Sequence, residues 1–357
     1  MLRGAYFSDT LVDAVAQLLF TPRAATLALY LGQKYIWYYS QLVIDFLFRG
    51  DLMEKWNYLF IIIGASLWGT IGIFVQGLYS LGLTPLQVVT VRVTCAAIIL
   101  ILYLLITNPS FLRIHKQDYK YFVGTGIFSI VFFNWCFFTA IQETSLSVAA
   151  ILLYTGPAFV TILSRILFKE WLTTRKLFAL LLTLVGCIFV IGLFPLENSK
   201  VSLFGVIVGI GSGLTYALYS IFCRYALKKY NSQTVTAYTF IFAAIALIPL
   251  SGLWNVENIF HTTSFWSNGI SLGFFPTVLA YLLYTKGLNK VETSKASITA
   301  TIEPVVAACI GIFMFGDLLT MWQLIGISSV LLGVIVVSDS TKGQKHKKTF
   351  QRGQTTA

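Results

Sequence analysis

Two ionisable residues sit where ionisable residues are costly. Glu303 lies in "TIEPVVAACIGIFMFGD", residues 301–317, and Arg92 in "PLQVVTVRVTCAAIIL", residues 85–100. Each interrupts an apolar run long enough to cross a bilayer, where a charge is tolerated when it faces the bundle interior, pairs, or performs a function. A carboxylate at that depth has three uses: it can pair with Arg92 and hold helices together, bind the cationic group of a solute, or take up and release a proton, which makes protons a candidate coupling ion. Beside it, Pro304 removes a backbone hydrogen bond, and Pro157 does the same in "TGPAFVTILSRILFKE", residues 155–170. The freed carbonyls are tolerable at membrane depth only against protein or a wet cavity, so both prolines read as kinks or hinges. Trp68, Asn134, Tyr154, Thr155, Tyr216 and Tyr281 supply aromatic, amide and hydroxyl groups for a mostly apolar pocket with few polar contacts.

Other chemistries find little support. His115, His261 and His346 fall in loops or the tail, and the five cysteines fall in or at the ends of apolar runs. Neither set has metal-ligand spacing or suggests a disulfide scaffold, and no cofactor is implied. An intramembrane enzyme needs a nucleophile with its base, paired acids or a metal at depth. No buried histidine and no second buried carboxylate is expected there. No GxxxxGK[ST] loop exists to drive a pump with ATP. The net charge of +11 is spread over short loops and the tail, which argues against a nucleic-acid partner.

The elements that must position these residues are helices. The chain is 57% hydrophobic and 11% charged, far below the charge of an ordinary soluble domain. Runs of about 20 apolar residues, each able to span the hydrocarbon core, occur near 57–77, 86–106, 120–140, 145–168, 177–195, 203–224, 233–253, 267–287, 294–315 and 320–338. The expected fold is an all-α polytopic membrane protein of ten transmembrane helices. Lys and Arg fall in the even-numbered turns and the tail, eighteen against Lys200 alone in the other turns. The positive-inside rule then puts both ends of the ten-helix region in the cytoplasm, with the cytoplasmic membrane as the location. Arg165, Arg224 and Lys286 lie near cytoplasmic helix ends, where they can snorkel. Residues 339–357 form a basic cytoplasmic tail suited to an anionic leaflet. Residues 1–52, whose apolar stretches are short and broken by charge, form an atypical extension. It reads either as interfacial or as preceding a native start at Met53.

The chain repeats itself. At an offset of 147, Pro157 matches Pro304, Glu170 matches Asp317, Ser147 matches Ser294 and Gly186 matches Gly333; near the first span the offset is 148, and Trp68 matches Tyr216. The halves are 53–195 and 196–338. Five spans per half is odd, so homologous halves must insert in opposite directions. Such inverted repeats recur in secondary transporters, with the substrate site near the midplane between halves. The charges break the symmetry: Glu303 aligns with Gly156 and Arg92 with Thr239. Glu303 lies about 12 Å from the cytoplasmic side and Arg92 about 9 Å from the outside, a vertical gap of about 9 Å.

Two stretches, "AAILLYTGPAFVTILSRILFKEWLT" and "ASITATIEPVVAACIGIFMFGDLLT", each pair a proline in the fourth helix of a repeat with an acidic residue 13 positions later. With "IIIGASLWGTIGIF" in the first span, they resemble the EamA-like branch of the drug/metabolite transporter superfamily over about 53–338. Asp317 stands where that family usually has Glu. The resemblance implies a non-enzymatic secondary transporter working by alternating access on a small-molecule solute. Its leading expectation is export of a small polar metabolite such as an amino acid. The alternatives are a drug, amine, sugar or nucleotide, or a membrane sensor that binds without transporting. Neither oligomeric state nor transport direction is fixed by these residues.

Overall fold

Long apolar segments whose polar backbone groups must be satisfied internally form helices in a membrane. In a computed structural model, which describes residues 52–191, 202–316 and 320–339, every element is helical and no strand occurs among the described residues. The chain divides into Met1–Lys55 and Trp56–Ala357, and the account below concerns the second unit. Nine described helical segments are long and apolar enough to cross a membrane: α1 Lys55–Tyr79, α2 Pro85–Thr107, α3 Lys116–Glu143, α4 Leu146–Phe168, α5 Thr174–Ile191, α6 Leu203–Ala226, α7 Ser232–Ser251, α9 Thr293–Met314 and α10 Met321–Ser338. Between α7 and α9, residues 263–288 form α8. The span expected over 267–287 falls on this segment, which is not among the nine. Asn268, Pro276, Thr277 and Lys286 dilute its hydropathy. The N-terminal extension, the turn holding Lys200, Asp317 and the basic tail lie outside the described residues.

Helix starts follow ordinary capping chemistry. Thr84 and Gln87 form a reciprocal capping box in front of Pro85. Ser145, Ser202 and Asn231 accept from the backbone N–H three residues on, at the heads of α4, α6 and α7. At the far ends of α4 and α9 the chain turns left-handed at repeat-related positions, Lys169 (φ 55°) and Gly316 (φ 74°). Glycine is comfortable there and lysine is not.

Small residues let helices approach closely without a hydrophobic drive between them, and the contacts obey the repeat. A Cβ on Gly126 of α3 would lie 2.6 Å from the Thr239 carbonyl oxygen and 3.1 Å from the Ala243 nitrogen of α7. Its repeat mate Gly273 of α8 meets Cys95 and Ala96 of α2, and Ala96 is the mate of Ala243. Between α5 and α10 the reciprocity is complete: Gly186 meets Gly326 and Val330, while Gly333 meets Ala179 and Thr183, their mates. Gly126→Ala is therefore expected to cost about 1–3 kcal/mol as an overpacked contact. It should lower the thermal midpoint in detergent, whereas Gly72→Ala, with nothing within 4 Å among the described residues, does not lower it.

Two pairs of helices are interrupted. α3 carries π-helical turns over Gly124–Val131 and α8 over Phe274–Leu279, stretches that overlap under the repeat offset. Ser129 and Thr277 use their hydroxyls on the loosened ladder, donating to Gly124 O and Leu272 O at 2.7 Å each. α4 divides into Leu146–Leu153 and Gly156–Phe168, and α9 into Thr293–Thr299 and Ile302–Phe315. Pro157 and Pro304 stand in the first turn of each second half, where a missing N–H goes unnoticed. The break thus precedes the proline.

Candidate functional site

The break in α9 sets out the first site residue. Glu303 lies in the opening turn of Ile302–Phe315. α1 presses onto this turn: a Cβ on Gly69 would fall 2.8 Å from the Glu303 carbonyl oxygen. That approach fixes Trp68, one residue away, beside the break. In the other repeat the corresponding surface holds an aromatic ring, since a Cβ on Gly156 would lie 2.8 Å from Cδ1 of Tyr216.

Trp68 packs edge-on to Tyr281 (centroids 5.1 Å apart) and tilted against Tyr284 (5.0 Å). Tyr281 also meets Tyr219 and Phe240 edge-on at 5.1 and 4.9 Å. This cluster joins α1, α6, α7 and α8. Arg92 of α2 enters it with 9% of its surface exposed, and its Nη2 reaches the Tyr281 hydroxyl at 3.5 Å. The Arg92 Nε and the Trp68 Nε1 are buried donors without partners among the described residues. Glu303 is half-buried and its carboxylate accepts no hydrogen bond among the described residues, yet it lies within Coulombic range of Arg92, Tyr154, Tyr216, Tyr281 and Cys187. The ion pairs within 4.0 Å among the described residues do not include Arg92 with Glu303. The two charges face one set of rings without closing on each other.

Of the residues expected from sequence, Trp68, Arg92, Tyr154, Tyr216, Tyr281 and Glu303 thus converge. Asn134 and Thr155 spend their side chains locally: Asn134 Nδ2 donates to Ile130 O at 2.7 Å and Thr155 Oγ1 to Leu152 O at 2.6 Å. Tyr284 and Tyr219 were missed. Ser220 holds the first (2.8 Å between hydroxyls) and Thr285 the second (2.9 Å). A hydroxyl or tyrosine inside an apolar run carries no mark of which face it occupies.

A second polar centre was also missed. Two further carboxylates are covered at helix ends rather than at membrane depth: Asp118 is buried and the Glu170 side chain keeps 9% of its surface exposed, each met by a lysine. Glu170, after α4, accepts from Thr293 N (2.7 Å), Ser294 N (3.1 Å) and the Ser294 hydroxyl, capping α9. Lys176, fully buried, donates to Trp171 O at 2.9 Å and pairs with Glu292 at 3.0 Å and Glu170 at 3.8 Å; Lys295 joins Glu292 at 3.6 Å. Arg224, expected to snorkel, donates instead to Leu288 O and Asn289 O at the end of α8. Among the described residues no group of three or more potential metal ligands occurs.

A family model for EamA-like transporters matches residues 55–192 and again 203–339. An uncharacterized transporter of Archaeoglobus fulgidus is 32% identical over 77% of this chain and 94% of its own length. The uncharacterized transporter YwfM of Bacillus subtilis is 27% identical over 80% and 95%. The threonine/homoserine exporter RhtA of Escherichia coli is 26% identical over 68% of this chain and 78% of its own. A solved crystal structure, 18% identical, superposes with a TM-score of 0.65 over 80% of this chain and 98% of that one, a likeness of fold. By its twice-matched family model and its kinship along most of its length, this chain belongs to the EamA-like transporter family.

Proposed function

We propose that the protein is a secondary active transporter that exports a small polar metabolite, an amino acid or a related compound, across the cytoplasmic membrane by alternating access. The observation that carries this reading is the pair of charges, Arg92 and Glu303, held apart in a buried aromatic cluster beside the α9 break. A static pair would be closed, because an unneutralised charge at depth is costly. The kinship to RhtA, a threonine/homoserine exporter, favours an amino acid over a drug, amine, sugar or nucleotide.

In this reading α8 is a further span, and the halves 53–195 and 196–338 are inverted repeats of five helices each. The reciprocal contacts of Gly186 and Gly333, and of Gly126 and Gly273, support a pseudo-twofold axis. With five helices per half that axis lies in the membrane plane. Lys and Arg placement puts the Glu170–Lys176 end and both termini of the helical region in the cytoplasm. Trp68, Tyr154, Tyr216 and Tyr281 wall the site. Asn134 and Thr155 keep the backbone around it satisfied, and Pro157 and Pro304 start the half-helices that move.

Counterflow in proteoliposomes tests this. Vesicles preloaded with unlabelled amino acids should accumulate a labelled one, and Glu303→Gln should slow this by about 10-fold or more, the scale of a lost charge-assisted contact. Binding without exchange would make the protein a sensor. Unchanged exchange and an unchanged pH profile in Glu303→Gln would remove Glu303 from both binding and coupling.

A further inference from the structure

Arg92 and Glu303 can be matched to a ligand by what each lacks. Among the described residues, Arg92 spends Nη2 on a long contact to the Tyr281 hydroxyl and leaves Nε unpaired, and Trp68 Nε1 beside Tyr281 is also unpaired. Both residues are more than nine-tenths buried. Unpaired buried donors cost the full desolvation of the group, so they call for an acceptor. A guanidinium edge with a free Nε suits a carboxylate, which it binds through two parallel N–H···O bonds. Glu303 presents the converse, a carboxylate with no donor among the described residues. The Arg92 guanidinium lies within its Coulombic range but beyond 4.0 Å.

We propose that the space between Arg92 and Glu303 is a zwitterion site. Arg92, helped by Trp68 Nε1, takes a carboxylate, Glu303 takes an ammonium group on the same small molecule, and Tyr154 and Tyr216 border the remainder. The proposal rests on the transport reading above and sharpens its substrate class. It excludes solutes carrying one charge only. A free amine would leave Arg92 unmatched, a free carboxylate would leave Glu303 unmatched, and each would add net charge at depth. A zwitterion adds none, so loading is electroneutral and the exchange of neutral amino acids is indifferent to membrane potential.

The test uses the purified full chain in proteoliposomes and the proteinogenic amino acids as probes. The best exchanged amino acid is compared with its methyl ester, which lacks the carboxylate, and its N-acetyl derivative, which lacks the ammonium. Each is expected to exchange about 10- to 100-fold less well, the worth of a charged hydrogen bond. In Arg92→Gln the preference over the ester should collapse while that over the N-acetyl form persists, and Glu303→Gln should do the reverse. Arg92→Lys, which keeps charge, guards against misfolding, and thermal melts check each variant. Equal use of the ester, or a preference surviving in both variants, overturns the zwitterion site. Exchange of a singly charged or uncharged solute in place of amino acids overturns it too but leaves a transporter. Absence of exchange for every solute class overturns the transport reading with it.

Discussion

Lys176→Met is expected to destabilise the protein by about 3–5 kcal/mol, the cost of removing one partner from a buried charge cluster. The lysine is wholly inaccessible and stands between two carboxylates, Glu170 and Glu292. Without it both are left with less than they need. Glu170 keeps its bonds to the start of α9, where the helix dipole favours a negative charge. Glu292, partly exposed and still beside Lys295, can recover some hydration, so the loss should fall at the lower end of that range. Methionine matches the aliphatic stem closely, which isolates the charge from the packing. Adding Glu292→Gln should restore part of the lost stability, because one unpaired charge then disappears. Thermal unfolding in detergent measures both. A drop worth less than about 1 kcal/mol would mean that water reaches the cluster and the lysine is an ordinary surface anchor.

The contrast between this cluster and Glu303 explains what the sequence could reveal. Glu303 stood out because it interrupts an apolar run, and Arg92 for the same reason. Lys176, Lys295 and Glu170 lie at helix ends, where charges are common; the positive-inside rule suffices to explain the two lysines, and the repeat-related match to Asp317 explains Glu170. Nothing local distinguishes a lysine facing lipid headgroups from one that the start of α9 covers. Burial there comes from the other half of the chain, more than a hundred residues away. Helix runs and the repeat were legible because hydropathy and self-similarity are properties of the string. The π-helical turns of α3 and α8, and the break of α4 and α9 just before their prolines, were not. They depend on how a ladder relaxes around Ser129, Thr277, Tyr154 and Thr301 once the helices have packed. Convergence of the six site residues was suggested by type alone, and the cluster's outer rings, Tyr219 and Tyr284, had no signal to separate them from packing tyrosines.

Repeat-related positions also differ in exposure, and this leads to the second large effect. Val160 in the second half of α4 is fully buried, and its mate Ala307 in α9 is exposed. Ser297 in the first half of α9 is 1% exposed, and its mate Ala150 in α4 is only partly covered. Mates occupy equivalent places in their halves, so each pair is covered by protein at one end of the molecule and less covered at the other. The covered end is the one bound by Glu170, Lys176, Glu292 and Lys295 across the two halves; the exposed end is extracellular in the orientation proposed. With the five native cysteines replaced by alanine, Ala307→Cys should react with an externally added, impermeant maleimide at least about 10-fold faster than Val160→Cys or Ser297→Cys, because a covered thiol must wait for an opening whose free energy sets the rate. Combining Lys176→Met with Ser297→Cys should raise labelling from the cytoplasmic side, since removing the cluster lowers the cost of opening that end. If Val160→Cys and Ala307→Cys label alike, both ends open freely and the charged cluster is not what holds the cytoplasmic side shut. If Lys176→Met weakens the fold but leaves Ser297→Cys protected, the cluster stabilises the protein without gating it.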